Sequence, residues 1–398
     1  MAADRHIAIA GGGIAGLISA LSVAGPGMRV TVFEQAGRLE EVGAGLQVSP
    51  NAWRVLEALG LAETVLRLSV APAAIRMRRG SDGRTIARMP LGGQAERRWG
   101  APYRVIHRAD LQDTLVAALE ANPNAGLRLG TRIDGFRLGG VLDDGVQISV
   151  DGDLAGRFDG LVGADGLWSS IRAQIADEGD PVYSGKVAWR ATIAADQVPH
   201  GIDPDETGLW LGRDAHLVHY GVRAGEEVNV VAIFADHWSE PGWSAPGRRG
   251  DVIARYADWS PLAQAVVAAP KRWVKWALAD RPPLSRWGVG PVTLAGDAAH
   301  PMLPFLAQGA AMGIEDGHVL GQALAGADDV EAAFRRYENR RMARTARVQR
   351  GARANGDIYH LGGIAGRARD AAMGVMGPDR LLARFDWLYG WGRPAAED

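Results

Sequence analysis

Between Ile7 and Glu34 the chain runs through a short apolar stretch, a glycine-rich turn and a second apolar stretch, an order that few folds accommodate. Ile7–Ala10 is uniformly apolar, as a strand covered on both faces of a parallel sheet must be. Gly11-Gly12-Gly13-Ile14-Ala15-Gly16 follows, then a helical stretch to about Val23. Val30-Thr31-Val32-Phe33 is a second, β-branched strand ending at Glu34. Strand, helix and strand make a βαβ unit. In such a unit Gly11 permits the tight turn, Gly13 lets a pyrophosphate approach the backbone, and Gly16 lets helix and strand pack closely. Ile14 and Ala15 open a helix whose first N–H groups and positive dipole end suit an anion. Glu34 stands where a carboxylate accepts hydrogen bonds from ribose hydroxyls. It disfavours a 2′-phosphate, so the unit suits FAD or NAD rather than NADP. A glycine-rich turn in a nucleotide-free α/β protein is the competing explanation.

Ile7 to Met28 carries no charge and is long enough to imitate a membrane span. Six glycines fall inside it, and only Arg5 precedes it as a charged n-region. The strand–turn–helix explains those glycines and a span does not, so the expectation is a cytoplasmic protein without a membrane segment. At 398 residues the chain exceeds what one core serves, which implies two domains and an appendage. A net charge of −2 supplies no overall pull toward nucleic acid or membrane. With no cysteine, disulfides, thiolate catalysis, iron–sulfur clusters and cysteinyl attachment of a flavin are excluded.

Two further buried strands, Leu161–Gly163 and Val292–Ala295, each run into a Gly/Asp turn: Gly163-Ala164-Asp165-Gly166 and Gly296-Asp297-Ala298-Ala299-His300-Pro301. Pro50–Leu59 and Ala109–Glu120 read as amphipathic helices. Ala74–Arg88 and Val187–Phe234 alternate apolar and polar residues, with a turn at Arg223-Ala224-Gly225-Glu226, as antiparallel sheet does. Trp189, Trp210, Trp238 and Trp243 are expected to cluster there. Beyond Gly317 the chain reads as helical, with an arginine-rich helix over Val330–Ala354 and an aromatic end over Asp379–Trp391. The arginines from Arg335 to Arg350 fit a solvated face or a subunit contact better than a nucleic-acid site.

The glycine turn, Gly163–Gly166 and Gly296–Pro301 together resemble the group A flavoprotein aromatic hydroxylases, from about Ile7 to about Gly390. That resemblance implies an α/β fold like that of para-hydroxybenzoate hydroxylase. A Rossmann-like FAD-binding domain (1–73, 104–180, 277–325) is interleaved with an antiparallel β-sheet substrate domain (74–103, 181–276), and C-terminal helices follow (326–398). It implies noncovalent FAD, NADH in preference to NADPH, O2 and a small aromatic substrate, with oxygen transferred from a flavin C4a-hydroperoxide. Its partners would be small molecules and a second copy of the chain in a homodimer, with no nucleic acid and no membrane.

The resemblance also assigns residues. Arg108, in His107-Arg108-Ala109-Asp110-Leu111, would lie along the dinucleotide, or be an ordinary surface arginine at a helix start. Asp297 would hold ribityl or ribose hydroxyls, act as a helix N-cap, or do both. Pro304 would lie beside the isoalloxazine ring. The helix beginning near Gln308 would aim the N–H groups of Gly309, Ala310 and Ala311 at flavin N1 and O2, where the reduced ring is negative. Asp165 belongs to a motif between the flavin and the coenzyme route, with Arg172 nearby. At Glu40-Glu41-Val42-Gly43-Ala44-Gly45 the chain lacks the basic residue that many relatives carry, and Arg38 is the substitute.

On the substrate side, Asp214-Ala215-His216-Leu217-Val218-His219-Tyr220 reads as a strand. His216, Val218 and Tyr220 share one face, Leu217 and His219 the other. The salicylate, 3-hydroxybenzoate and 6-hydroxynicotinate hydroxylases have a similar His-x-x-x-Tyr. Their chemistry needs a base, because a phenolate is a far better nucleophile than a phenol. His216, Tyr220 and Gln308 are therefore the catalytic candidates. Gln47 is placed against the flavin or substrate ring, and Arg190 against a substrate carboxylate or in support of the sheet. The plainer alternative makes His216 a structural histidine and His219 a surface one. An epoxidase or isoprenoid reductase of the same fold, and a flavin-binding redox sensor, are the competing functions.

Overall fold

A computed structural model describes residues 5–39, 45–140, 145–176 and 178–393. The chain forms two compact units, each assembled from three stretches of sequence: 1–41, 111–182 and 280–352 in the first, 42–110, 183–279 and 353–398 in the second. The six expected segments divide differently. Residues 42–73 go with the second unit, because the strands Gly45–Val48 and Ser69–Val70 both hydrogen-bond to Arg104–His107. Residues 326–352 and 353–398 are shared between the two units instead of forming a region of their own.

The first unit is built on a parallel five-stranded sheet. Its order is Val292–Leu294, Gly160–Gly163, β1 (Arg5–Ala10), β2 (Met28–Phe33) and Ala125–Arg128. Helix α1 (Ile14–Val23) connects β1 to β2, as the glycine pattern required. The apolar run from Ile7 is thus a strand, a turn and a helix, and among the described residues no helix is long and apolar enough to cross a membrane. Short helix α2 (Ser170–Ile175) follows the Asp165–Gly166 turn. Helix α3 (Gly309–Leu324) starts beyond the Gly296–Ala298 turn.

Three glycines four residues apart, Gly313, Gly317 and Gly321, line the side of α3 that meets α1. A Cβ on each would fall within 2.9, 2.7 and 2.4 Å of Ala15, of Ile18 and Ser19, and of Ser22 respectively. Glycine inside a helix costs about 1 kcal/mol relative to alanine, so three of them on one line indicate backbone packed on backbone. Helix α4 (Val330–Tyr359) runs five residues past the expected Ala354. Its arginines are largely spent internally. Arg335 donates to the Val292 carbonyl at 3.0 Å, Arg336 to that of Ala323 at 3.1 Å, and Arg344 to Glu315 at 2.7 Å.

The second unit centres on an eight-stranded sheet. Five of its strands are, in order, Val182–Ala194, Glu227–Ala235, β3 (Ala215–Val222), Glu206–Gly212 and Ala74–Arg79. One pairing departs from the antiparallel expectation: Glu206–Gly212 and Ala74–Arg79 run parallel. These strands lie far apart in sequence, so no hairpin forces them antiparallel. One face of the sheet is a core of Trp189, Trp210, Leu217, Val230 and Phe234, packed on Val252, Tyr256 and Val266. Trp189 and Trp210 join this core and Trp238 packs against it. Trp243 does not; it is exposed, with its ring 4.4 Å from that of Trp276. Helix α5 (Gly363–Ala383), with the chain turning at Gly377, is followed by a short helix over Asp386–Tyr389.

The α1–α3 seam makes a definite demand. In Gly317→Ala the new methyl would meet the Ser19 nitrogen at 2.7 Å and the Ile18 carbonyl carbon at 2.8 Å, both backbone atoms. Overpacking of this kind costs about 1–3 kcal/mol, against a helix-propensity gain of about 1 kcal/mol. The expected outcome is a lower midpoint of thermal unfolding. An unchanged or raised midpoint would refute the close packing of this seam.

Candidate functional site

In the first unit the glycine turn has the division of labour its sequence implies. Gly11 has φ +106°, and a Cβ there would lie 2.3 Å from the Ala164 carbonyl oxygen; at Gly16 it would lie 2.0 Å from that of Gly11. These two glycines are imposed by packing. A Cβ on Gly13 would meet nothing within 4 Å, so the backbone there fronts open space. Gly13 caps α1 without a side-chain acceptor, and Ile14 and Ala15 form its first turn. The first N–H groups of such a turn lack intrahelical acceptors and suit a pyrophosphate. Glu34 Oε2 accepts the Gly12 N–H at 2.7 Å and Oε1 that of Ala36 at 2.8 Å. A carboxylate has about four acceptor positions, leaving two for ribose hydroxyls. Gln112, which the sequence did not single out, donates to the Gly12 carbonyl at 3.0 Å. Arg38 is exposed. The departure at 40–44 lies outside the described residues.

The second part of this site is the turn before α3. Gly296 has φ +60°, and a Cβ on it would lie 2.5 Å from that of Ala15. Its N–H donates to Asp316 Oδ2 at 2.9 Å. The same carboxylate takes His300 Nε2 at 2.5 Å and Arg341 Nε at 2.7 Å, all fully buried. Burial alone would raise the Asp316 pKa; His300 and Arg341 outweigh it and take it to about 2. Arg172 clamps the turn from the other side, donating to the carbonyls of Ala298 and Ala299 at 3.0 and 3.1 Å. Held this way, Asp297 is the exposed residue of the turn, and Gly309 packs toward its Oδ1. Pro304–Leu306 forms one 3-10 turn, Ala307 is left-handed at φ 51°, and buried Gln308 immediately precedes α3 without a side-chain capping hydrogen bond. Gly309, Ala310 and Ala311 then supply the first-turn N–H groups. Asp165 has a structural employment. Its carboxylate accepts the Ser169 hydroxyl and the Ser170 N–H, the latter at 2.8 Å, at the start of α2. Burial raises its pKa against those hydrogen bonds.

In the second unit His216, Tyr220 and Arg190 share the sheet face opposite the core, whereas Gln47 lies on a separate three-stranded sheet and Arg108 on a helix. Cross-strand register sets three rows: Ala188–Ile233–His216, Arg190–Val231–Val218 and Thr192–Asn229–Tyr220. His216 Nδ1 lies 2.8 Å from His360 Nε2, and the His216 carbonyl accepts the Tyr256 hydroxyl at 2.8 Å. Burial, then His360 and Lys186, push His216 well below the ordinary histidine value. The Tyr220 hydroxyl donates to the Gly45 carbonyl at 2.7 Å, and burial pushes it up to about 12. Gln47, two residues along that strand, accepts the Tyr103 hydroxyl. Arg190 spreads over the Trp276 ring at 5.8 Å. Arg108 opens its helix as an exposed residue. His219 is not a surface residue. It points into the core beside Trp210, with a pKa taken to about 4 by burial and Arg78.

The first unit thus brings together Gly11–Gly16 with Glu34, and Asp297 with Gln308–Ala311; the second brings together His216, Tyr220 and Arg190. Sequence reasoning missed His360 and Tyr103, whose partners are remote in sequence, and Asn229, which stands opposite Tyr220 across the sheet.

A model of an FAD binding domain matches residues 4–352. The chain is 36% identical over 391 residues to the 3-hydroxybenzoate 6-hydroxylase of Polaromonas naphthalenivorans (strain CJ2), covering 98% of this chain and 96% of that protein. It is 37% identical over 389 residues to a 3-amino-4-hydroxybenzoate 2-monooxygenase of Streptomyces platensis, covering 97% and 96%. Among solved structures, a salicylate hydroxylase substrate complex has a similar fold, with a TM-score of 0.82 at 24% identity over 98% of this chain and 96% of that one.

The depressed Asp316 carboxyl carries a pH signature. Because its folded value lies below the unfolded one of about 3.9, its stabilisation is complete above about pH 5 and is lost as pH falls through about 2. Asp316→Asn should flatten that part of the stability–pH curve. It should also destabilise the protein at neutral pH by about 3–5 kcal/mol, since it strips a partner from buried Arg341. Denaturant unfolding between pH 2 and 7 tests both, and an unaltered acid slope in the variant would refute the assignment.

Proposed function

The chain belongs to the FAD-binding domain family over residues 4–352, and from that premise we propose that it hydroxylates a phenolic or hydroxypyridine-type aromatic acid, using NADH and O2, as a cytoplasmic homodimer. It is an FAD-dependent monooxygenase. The named substrates of its relatives, 3-hydroxybenzoate and 3-amino-4-hydroxybenzoate, are aromatic acids. The observation that carries the proposal is the polar face of the substrate sheet, where an imidazole and a phenol stand two pleats apart with an arginine between their rows.

When bound and reduced by the nicotinamide coenzyme, FAD supplies the activated oxygen. The open backbone at Gly13, the spare acceptor positions of Glu34 and the uncapped start of α3 fit its pyrophosphate, ribose and electron-rich ring edge. The protein's own part is proton management. We assign the His216 Nδ1–H to His360, 2.8 Å away; in that tautomer Nε2 is the acceptor nitrogen suited to take the phenolic proton. An anionic substrate beside the imidazole favours its charged form, and so raises its pKa from the low substrate-free value. Tyr220, a neutral phenol held on the Gly45 carbonyl, orients the ring.

His216→Ala should retain FAD, because the residue lies outside the first unit's glycine and Gly-Asp turns. Hydroxylated product per NADH consumed should fall by roughly 10²- to 10⁴-fold, the usual contribution of a general base, with hydrogen peroxide in its place. His219→Leu, on the core face, should change the unfolding midpoint and leave coupling near wild type. Coupling measured with a panel of hydroxybenzoates and hydroxynicotinates, with NADH and NADPH in parallel, decides the matter. Wild-type coupling in His216→Ala would dismiss the base, and a clear preference for NADPH would dismiss the coenzyme.

A further inference from the structure

Asn229 is fully buried, and neither its Oδ1 nor its Nδ2 makes a hydrogen bond of normal geometry; its polar neighbour is the Tyr220 oxygen, whose own O–H is committed to the Gly45 carbonyl at 2.7 Å. An unsatisfied buried amide of this kind is destabilising, and native structures hold few of them. Its position gives the reason. Asn229 stands opposite Tyr220 in one cross-strand row, and Arg190 is in the adjacent row on the neighbouring strand. Diagonal neighbours of that kind are within reach of long side chains. The Nε–H of Arg190 is likewise buried without an acceptor. Two donors on one face, one of them cationic, are therefore left without a well-aligned acceptor in adjacent rows. The opposite face of the same sheet is filled by the hydrophobic core.

We propose that Asn229 is a substrate-binding residue that, together with Arg190, holds the carboxylate of the aromatic acid. The inference rests on the reading of this face as the substrate face. A carboxylate offers acceptors to both donors at once, and its hydrogen bonds to a guanidinium and an amide are of the charge-assisted kind. His216, two rows from Asn229, is then left to the ring hydroxyl.

The test is Asn229→Leu, nearly the same in shape and without polar atoms, in the FAD-loaded protein. Two readouts should move in opposite directions. The substrate-free protein should melt at a higher temperature, because the unsatisfied amide is gone. Affinity for 3-hydroxybenzoate, followed by the perturbation of the flavin absorbance, should fall about tenfold or more, while affinity for resorcinol, which has no carboxylate, stays the same. A lower melting temperature would show that the amide is already satisfied within the fold and would overturn the proposal. Equal losses for acid and phenol, or a wild-type protein that binds resorcinol as tightly as 3-hydroxybenzoate, would overturn it as well. Binding is measured without turnover, so these outcomes stay separate from the coupling of His216→Ala. Loss of coupling there with no change of acid affinity in Asn229→Leu leaves the base standing and removes the carboxylate site.

Discussion

Backbone-to-backbone contact between α1 and α3 governs the first unit. With Gly313, Gly317 and Gly321 on one line, the two helices meet where side chains would normally hold them apart. Ala15 is the pivot, since its methyl lies under both Gly296 and Gly313. The start of α1, the turn at Asp297 and the start of α3 are therefore registered against one another through a single small residue. Two uncapped helix starts held in fixed relation make an anion cradle that no single turn could provide. The cost is three glycines inside one helix, which the packing must offset.

The local part of this arrangement was legible in the sequence. The βαβ unit, the start of α1 at Ile14 and the Gly/Asp turns announce themselves within a few residues, because turn geometry and periodicity are local properties. The facing of β3 was legible too: a period of two places His216 with Tyr220 and His219 with Leu217. What lay beyond reach depends on partners distant in the chain. His360 meets His216 across 144 residues and Tyr220 meets Gly45 across 175, and no spacing rule links either pair. The burial of His219 had no signal, since an imidazole on a core face differs from a surface one only in what covers it. The parallel pairing of Glu206–Gly212 with Ala74–Arg79 is equally a matter of tertiary assembly.

Charge is treated in two different ways in the two units. Around Gly296 the buried arginines are paired: Arg341 lies between Glu315 and Asp316, and Arg172 between Glu178 and two carbonyls, although the Arg172 Nε–H itself makes no hydrogen bond. Such a network is costly to desolvate, and it holds a turn in one geometry. On the polar face of the substrate sheet, Asn229 and the Nε–H of Arg190 are buried without hydrogen bonds of normal geometry. Matched charges serve rigidity, and unmatched donors leave free energy to be recovered on binding.

The strict alternation of the substrate sheet separates two kinds of evolutionary change. Positions 188, 190 and 192, 216, 218 and 220, and 229, 231 and 233 form a three-by-three grid on one face, while their immediate neighbours in sequence belong to the core. A substitution on the grid alters what the face can recognise and leaves the packing beneath it in place. A single-residue insertion at the Arg213–Asp214 turn would exchange the two sets and present Leu217 and His219 where His216 and Tyr220 now stand. New preferences on this scaffold are thus open to point mutation and closed to changes of length, which makes the grid a keyboard on a fixed frame.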